Sequence, residues 1–246
     1  MISSEVAFHL FIILVRPESM ANVGAVARAM KNTGFHQLRI VGINQFTAEA
    51  FRLAVHARDI LEKAAFFPNV ETATADLQVV FASTAKKRKN FTLITLEEMV
   101  EKVIGFSPGI KIGLLFGPER TGLESRDLRW ANYCFVIPQA SNQPSYNLAG
   151  AVLITLFQLF RQAVSRNGIG AKRGPQQDSQ PLSVTQQREC INFIIKKLTE
   201  RGFIHRTNRK HMEERLHDLF GRLTINERDR KLLLALFGKI PYHSSR

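Results

Sequence analysis

Cysteine is nearly absent from this chain. Cys134 and Cys190 are its only two cysteines in 246 residues, they lie far apart, and no CxxC occurs. A disulfide framework and a cysteine-based zinc site are therefore excluded, and both thiols are expected to pack as small apolar residues in a reducing compartment. The seven histidines are scattered without an HExxH pattern, so no metal is expected. No GxGxxG follows a strand-like run and no GxxxxGK[ST] occurs; Gly168-Ile169-Gly170 has the wrong spacing for a nucleotide fold. Long hydrophobic runs are missing too. Val6 to Val15 and Leu148 to Phe160 fall short of the roughly 20 residues that cross a bilayer, and they contain His9 and Gln158. The N-terminus has neither a basic region nor a small-residue cleavage site, so no membrane span and no secretory signal are expected, and the cytoplasm is the expected location. Acid is also scarce: 21 Asp and Glu stand against 34 Lys and Arg, a net charge of +13. Such a surplus favours a polyanionic partner, because each neutralised phosphate releases counterions.

What is present is an ordinary globular core. Hydrophobic residues make up 45% of the chain, enough to fold without a metal or disulfide staple. Five continuous apolar runs read as strands: Phe8 to Val15, Gln37 to Val41, Leu77 to Ala82, Ile112 to Phe116 and Tyr133 to Ile137. Continuous runs, rather than alternating ones, predict strands covered on both faces, as in a parallel sheet. Helical patterns lie between them: Val23 to Asn32 with Gly34 as its stop, Thr95 to Val103 with the Thr95/Glu98 spacing of a capping box, and the apolar Leu148 to Phe160, expected to be a central buried helix. The alternation predicts an α/β domain over 1–167. A polar Gly-, Pro- and Gln-rich stretch over 168–182 reads as a flexible linker. Beyond it, 183–246 is helical, with patterns at Val184 to Arg201, His211 to Phe220 and Glu227 to Leu236. From 168 onward the chain carries 16 Lys and Arg against 8 Asp and Glu, which makes this tail strongly basic and a candidate for docking a nucleic acid. Lys86-Lys87-Arg88-Lys89 reads equally as a phosphate grip or as a solvated charge run.

Polar and glycine residues gather at three strand ends. Asn22-x-Gly24-x-x-x-Arg28 follows the first strand. Asn22 and Gly24 can shape a tight entry into a helix, with Arg28 presenting a bidentate fork; an ordinary capped helix with a surface Arg reads as well. Phe116-Gly117-Pro118-Glu119-Arg120-Thr121-Gly122-Leu123 follows the fourth strand, where Gly117 permits a close backbone approach and Glu119 can hold a hydroxyl or an Arg; a simple glycine-rich turn is the alternative. Ile137-Pro138 through Pro144-Ser145-Tyr146-Asn147-Leu148-Ala149 precedes the apolar helix, and Ser145 and Asn147 can either cap that helix or face a ligand.

Taken in this order, the three patterns resemble the three motifs of the TrmH-like branch of the SPOUT methyltransferases. The tail, with Gly202-Phe203-Ile204 and Arg215-Leu216-x-x-Leu219-Phe220, is similar to the C-terminal extension of the TrmJ subgroup. The resemblance implies a SPOUT-type α/β fold: a parallel sheet with helices on both faces, a C-terminal trefoil knot and a small helical extension. It implies S-adenosylmethionine as cofactor, held by Ser83, Thr84, Ala85, Gly117, Ile137, Pro144, Ser145, Tyr146 and Leu148. Tyr146 stands where the family usually has Leu, and Pro144 is not its commonest neighbour; both changes are expected to reshape the pocket rim. The implied reaction is methylation of a ribose 2′-hydroxyl, with Arg28 central, Asn22 and Ser145 supporting it, and Glu119 ordering the loops. A guanidinium stays protonated at neutral pH and is a poor general base, so Arg28 is expected to orient the ribose hydroxyl and its phosphate. The implied partners are RNA and a second copy of the chain in a homodimer. The implied substrate of the subgroup is transfer RNA at anticodon-loop position thirty-two. A ribosomal-RNA ribose methyltransferase and a catalytically silent RNA-binding protein are the alternatives.

Overall fold

The computed structural model describes residues 9–85, 91–107, 109–140, 145–167 and 180–239. The Lys86 to Lys89 run, Pro144 and most of the expected linker lie outside these residues. The first part of the chain runs β1 (Leu10–Val15), α1 (Met20–Thr33), β2 (Gln37–Val41), α2 (Ala48–Ala54), a 3-10 turn (Val55–Ala57), α3 (Arg58–Glu62), β3 (Ala65–Phe67), α4 (Val70–Thr74), β4 (Val79–Ser83), β5 (Leu93–Thr95), α5 (Leu96–Gly105), β6 (Ile112–Phe116), α6 (Ser125–Leu128), β7 (Tyr133–Val136) and α7 (Leu148–Asn167). Three helices follow: α8 (Val184–Glu200), α9 (Arg209–Gly221) and α10 (Glu227–Lys239).

The seven strands form one sheet in the order β3-β2-β1-β6-β4-β7-β5, and every pairing is parallel. The two three-residue strands, β3 and β5, are additions to the five expected from apolar runs. Alternate residues of β1 explain why those runs are continuous. Leu10, Ile12 and Leu14 enter one core with α1, α2, α3, α5 and α7, whereas Ile13 and Val15 enter a second core with Val70 and Ala73 of α4 and Leu128 of α6. A strand buried on both faces has no polar positions to alternate with.

Two expectations need correction. Asn22 and Gly24 do not form the entry to α1. Ser19 is the N-cap, accepting from the Asn22 N–H at 3.3 Å, and Gly24 lies inside the helix. A Cβ on Gly24 would meet the Ala50 carbonyl oxygen at 2.4 Å, so the glycine allows α1 and α2 to touch backbone to backbone. Nor is α7 buried all round. It has the length and mean hydropathy (1.4 over Leu148–Ser165) of a helix that could cross a membrane. Here Leu148, Val152, Leu156 and Leu159 enter the core, while Leu153, Phe157 and Val164 are exposed. The Thr95/Glu98 capping box at the start of α5 is present as expected.

The helical extension has its own small core, with Leu182, Cys190, Ile191, Ile194, Ile204 and Phe220 buried together. It is fastened to the sheet through Asn132, just before β7. The Asn132 Oδ1 accepts from the Val80 N–H at 2.7 Å, and its Nδ2 donates to the Gly221 carbonyl at 2.7 Å and to Gln187 Oε1 at 3.3 Å. The Tyr133 hydroxyl donates to the Arg222 carbonyl at 2.7 Å, and the Val184 N–H to the Leu77 carbonyl at 2.7 Å. These contacts lie at the N-terminal ends of β4 and β7.

Gly24→Ala should force α1 and α2 apart and destabilise the fold by about 1–3 kcal/mol, the usual cost of overpacking. A urea unfolding curve checks this, and an unchanged midpoint would contradict the backbone contact.

Candidate active site

A cavity of about 240 Å³ opens at the C-terminal ends of β4, β6 and β7, the end at which open parallel sheets bind ligands. Its walls include Ser83, Thr84, Ala85, Gly117, Glu119, Ile137, Ser145, Tyr146 and Leu148. The structure thus brings together every residue expected to hold the cofactor except Pro144, which is outside the described residues. Leu123, Thr121 and Gln139 also line the cavity. Sequence reasoning missed these three, although Thr121 and Leu123 fall inside the second glycine-framed pattern.

The second loop owes its shape to glycine in a way the sequence reading did not anticipate. A Cβ on Gly117 would meet the Leu123 nitrogen at 2.4 Å and the Gly122 carbonyl carbon at 2.5 Å. Gly122 adopts a left-handed φ of 65° and donates its N–H to the Pro118 carbonyl at 2.9 Å. The loop therefore folds back on itself, and Gly117 is required by the loop's own packing. This turn aims Glu119 at the start of α1. Its Oε2 accepts the Glu18 N–H at 2.9 Å, and its Oε1 accepts the Ser19 N–H at 3.2 Å and the Asn22 Nδ2 at 2.7 Å. A carboxylate here also faces the positive end of the helix dipole.

Asn22 carries the connection on. Its Oδ1 accepts from the Asn147 Nδ2 at 3.0 Å, and the Asn147 Oδ1 accepts from the Ala149 N–H at 2.9 Å, capping α7. One side chain from each of the three strand-end patterns is thereby joined in a single line: Glu119, Asn22, Asn147. Each amide must both donate and accept, a requirement Asn meets and Asp does not. Asn147 had been read only as a cap or a ligand-facing group; its link to Asn22, 125 positions away in the chain, has no sequence signature. Tyr146 closes the rim, its hydroxyl donating to the Pro138 carbonyl at 2.8 Å, a bond that a leucine there could not make.

The loop leaving β1 is held by a second device that sequence reasoning missed. Arg16 adopts a left-handed φ of 49° and clamps Asp127 of α6 at 3.0 and 2.5 Å, while its N–H donates to the Val41 carbonyl. A non-glycine residue in this region is strained by about 1–3 kcal/mol and persists only where its surroundings fix it. Here a bidentate pair to a buried carboxylate supplies that fixing. Arg120, next to Glu119, pairs with Glu18 at 3.0 Å, and among the described residues Glu119 has no arginine partner.

Arg28 does not join this constellation. It is exposed on α1, does not line the cavity and makes no hydrogen bond or ion pair among the described residues. Six positions beyond Asn22, it points about 120° round the helix from it. Ser145 lines the cavity and is exposed.

Residues 9–157 match the model of the SpoU rRNA Methylase family, and the chain belongs to that family of methyltransferases. It is 30% identical over 213 residues to the tRNA (cytidine-2'-O-)-methyltransferase TrmJ of Methanocaldococcus jannaschii, spanning 78% of this chain and 92% of that protein. It is 26% identical to the tRNA (cytidine/uridine/adenosine-2'-O-)-methyltransferase TrmJ of Pseudomonas aeruginosa over 92% of this chain and 91% of that one. The crystal structure of TrmJ from Z. mobilis ZM4 superposes with a TM-score of 0.76 at 28% identity, covering 92% of this chain and 96% of that one.

Electrostatics at Glu119 make the loop junction testable. Burial, the largest single influence on its carboxyl, raises the pKa, but the hydrogen bonds from Asn22 and from the N–H groups of Glu18, Glu119 and Ser19 together hold it below the usual value. The folded value is the lower one, so this contribution is full above about pH 4.5 and is lost as pH falls through the folded value. Glu119→Gln should cost about 1 kcal/mol at pH 7 and flatten that acid-side loss. Denaturation midpoints of both proteins between pH 7 and pH 3 measure it; a constant difference across the range would mean that the ionised carboxylate is not what joins the loops.

Proposed function

We propose that this chain methylates a ribose 2′-hydroxyl of transfer RNA, at anticodon-loop position thirty-two, using S-adenosylmethionine. The observation that carries the reading is the line Glu119–Asn22–Asn147, which draws the three motif loops into one wall beside the strand-end cavity. The cavity suits the cofactor chemically. Leu123, Ile137 and Leu148 offer apolar surface for a purine, and Ser83, Thr84 and Ser145 offer hydroxyls. When bound, S-adenosylmethionine supplies a methyl group already activated by its sulfonium. We assign its binding to Ser83, Thr84, Ala85, Gly117, Ile137, Ser145, Tyr146 and Leu148, with Pro144 completing the loop.

Among the chain's own groups, Glu119 keeps a negative charge at the cavity wall and orders the loops. Its two oxygens accept the Asn22 amide and the Glu18 and Ser19 N–H groups. Asn22 fixes the start of α1, and Ser145 presents a hydroxyl to the incoming ribose. Arg28 has no bonded partner among the described residues and is exposed; we assign it to grip the target phosphate and orient the ribose hydroxyl. Since it does not line its own chain's cavity, it does so with the RNA in place and within a homodimer. Support for the homodimer comes from Leu153, Phe157 and Val164, an exposed apolar stripe on α7.

We read 1–167 as the methyltransferase domain, with its C-terminal part threaded as a trefoil knot, 168–182 as a linker and 183–246 as the RNA-docking extension. Leu182, at the linker's end, is buried in the extension's core. Transfer RNA is favoured over ribosomal RNA because the Pseudomonas aeruginosa tRNA enzyme aligns through the extension as well as the domain. Cys134 and Cys190 are both buried, and we place the protein in the cytoplasm.

Nucleoside mass spectrometry on RNA from cells lacking the protein tests this. One 2′-O-methylated nucleoside should vanish from the tRNA fraction. Loss from ribosomal RNA alone would select the other substrate, and an unchanged profile would sink the enzymatic reading. Arg28→Lys keeps the charge but loses the fork; kcat/KM on tRNA should fall about tenfold or more, the worth of one charge-assisted contact. Full activity in that variant would remove Arg28 from the role assigned here.

A further inference from the structure

A second cavity, of about 310 Å³, lies between the sheet and the helical extension, at the N-terminal ends of β5 and β7. Three cations face it: Arg129 after α6, Arg188 on α8 and Lys210 on α9. Arg188 is held in a fixed pose. Its guanidinium lies 3.8 Å from the Trp130 ring centroid and donates to the Arg129 carbonyl. It forms no ion pair among the described residues, and the side chains of Arg129 and Lys210 have no bonded partner there either. Burial, together with Arg129 and against Glu71, pushes the Arg188 guanidinium down to about 10.

Carboxylates also line the cavity, but they are already engaged. Glu213 pairs with Arg209 at 2.8 Å, Asp218 with Arg222 at 3.4 Å and with the Thr92 hydroxyl, and Glu214 has its own partner. His217 is neutral at pH 7; burial first, then Arg188 and Arg129 against Glu213, push it down to about 4. The unsatisfied charge in this cleft is therefore positive. A guanidinium has five donors in a planar fork and Arg188 has committed one, so the ligand that completes it is a multidentate oxyanion.

We propose that this cleft binds a phosphodiester of the RNA backbone, through Arg129, Arg188 and Lys210. The proposal rests on the RNA-methyltransferase reading and adds a second anchor to it. The methyl-transfer cavity opens at the opposite end of β7, on the order of 13 Å or more away for a four-residue strand. An RNA held at both places must span that distance.

The test compares the wild-type protein with Arg129→Gln/Lys210→Gln, whose two side chains have no bonded partner among the described residues, and with Arg188→Lys. Anisotropy of labelled tRNA is followed across a salt series. The double variant should bind about tenfold more weakly at low salt, and its slope of log K against log salt should flatten by one to two, one per phosphate contact. Arg188→Lys should show an intermediate loss, and S-adenosylmethionine affinity should stay at the wild-type value in all three. Unchanged affinity and slope overturn the proposal. So does inorganic phosphate raising the Tm of wild type but not of the double variant while both bind tRNA equally, since the cleft would then take a free anion. If the wild type transfers no methyl group to any RNA yet the double variant loses RNA affinity and slope, the cleft stands and the enzymatic reading falls.

Discussion

The arrangement of the site depends on one carboxylate. Glu119 reaches from the loop after β6 to the first turn of α1, where the Glu18 and Ser19 N–H groups and the Asn22 amide converge on it. Because an amide side chain can accept while it donates, Asn22 passes the connection to Asn147 and so to the start of α7. Three loops that are 97 and 125 positions apart in the chain are thereby set against one another. The strained Arg16 and its clamp on Asp127 keep the β1 loop in register with that junction. The cavity at the strand ends is what these restraints leave open.

Much of the sheet could be read in the sequence because its strands bury both faces. Gln37–Val41 and Ile112–Phe116 have the expected bounds, and the other long runs shift by one or two residues. Ala65–Phe67 and Leu93–Thr95 escaped because three residues at a sheet edge establish no period. Gly24 was misread for a physical reason: glycine marks a turn or a close approach equally well, and only the position of Ala50 decides between them. Phe157 and Leu153 made α7 look buried throughout, whereas hydrophobicity alone does not say which face the domain covers.

The site was legible residue by residue but not as a mechanism. Motif order pointed to Ser83, Gly117, Glu119 and Ser145, and all four line one cavity. Which side chains would bond to which was invisible, since Glu119 could have met an arginine as readily as an asparagine. Arg28 shares a motif with Asn22, yet helix geometry turns it to another face. Proximity in sequence is a poor guide to shared work on a helix unless the spacing is three or four residues.

The extension adds a geometric constraint. Asn132, Tyr133 and Val184 fasten it to the ends of β4 and β7 that lie away from the cavity. In the complex proposed above, its basic surface meets a part of the RNA distant from the reacting ribose, and recognition is spread over two regions of the molecule. The most direct measurement is transfer of labelled methyl from S-adenosylmethionine to a tRNA transcript and to the same transcript carrying one 2′-deoxynucleotide at anticodon-loop position thirty-two. The account predicts one methyl group per intact transcript and none on the deoxy form. Equal labelling of both transcripts, or of neither, would contradict it.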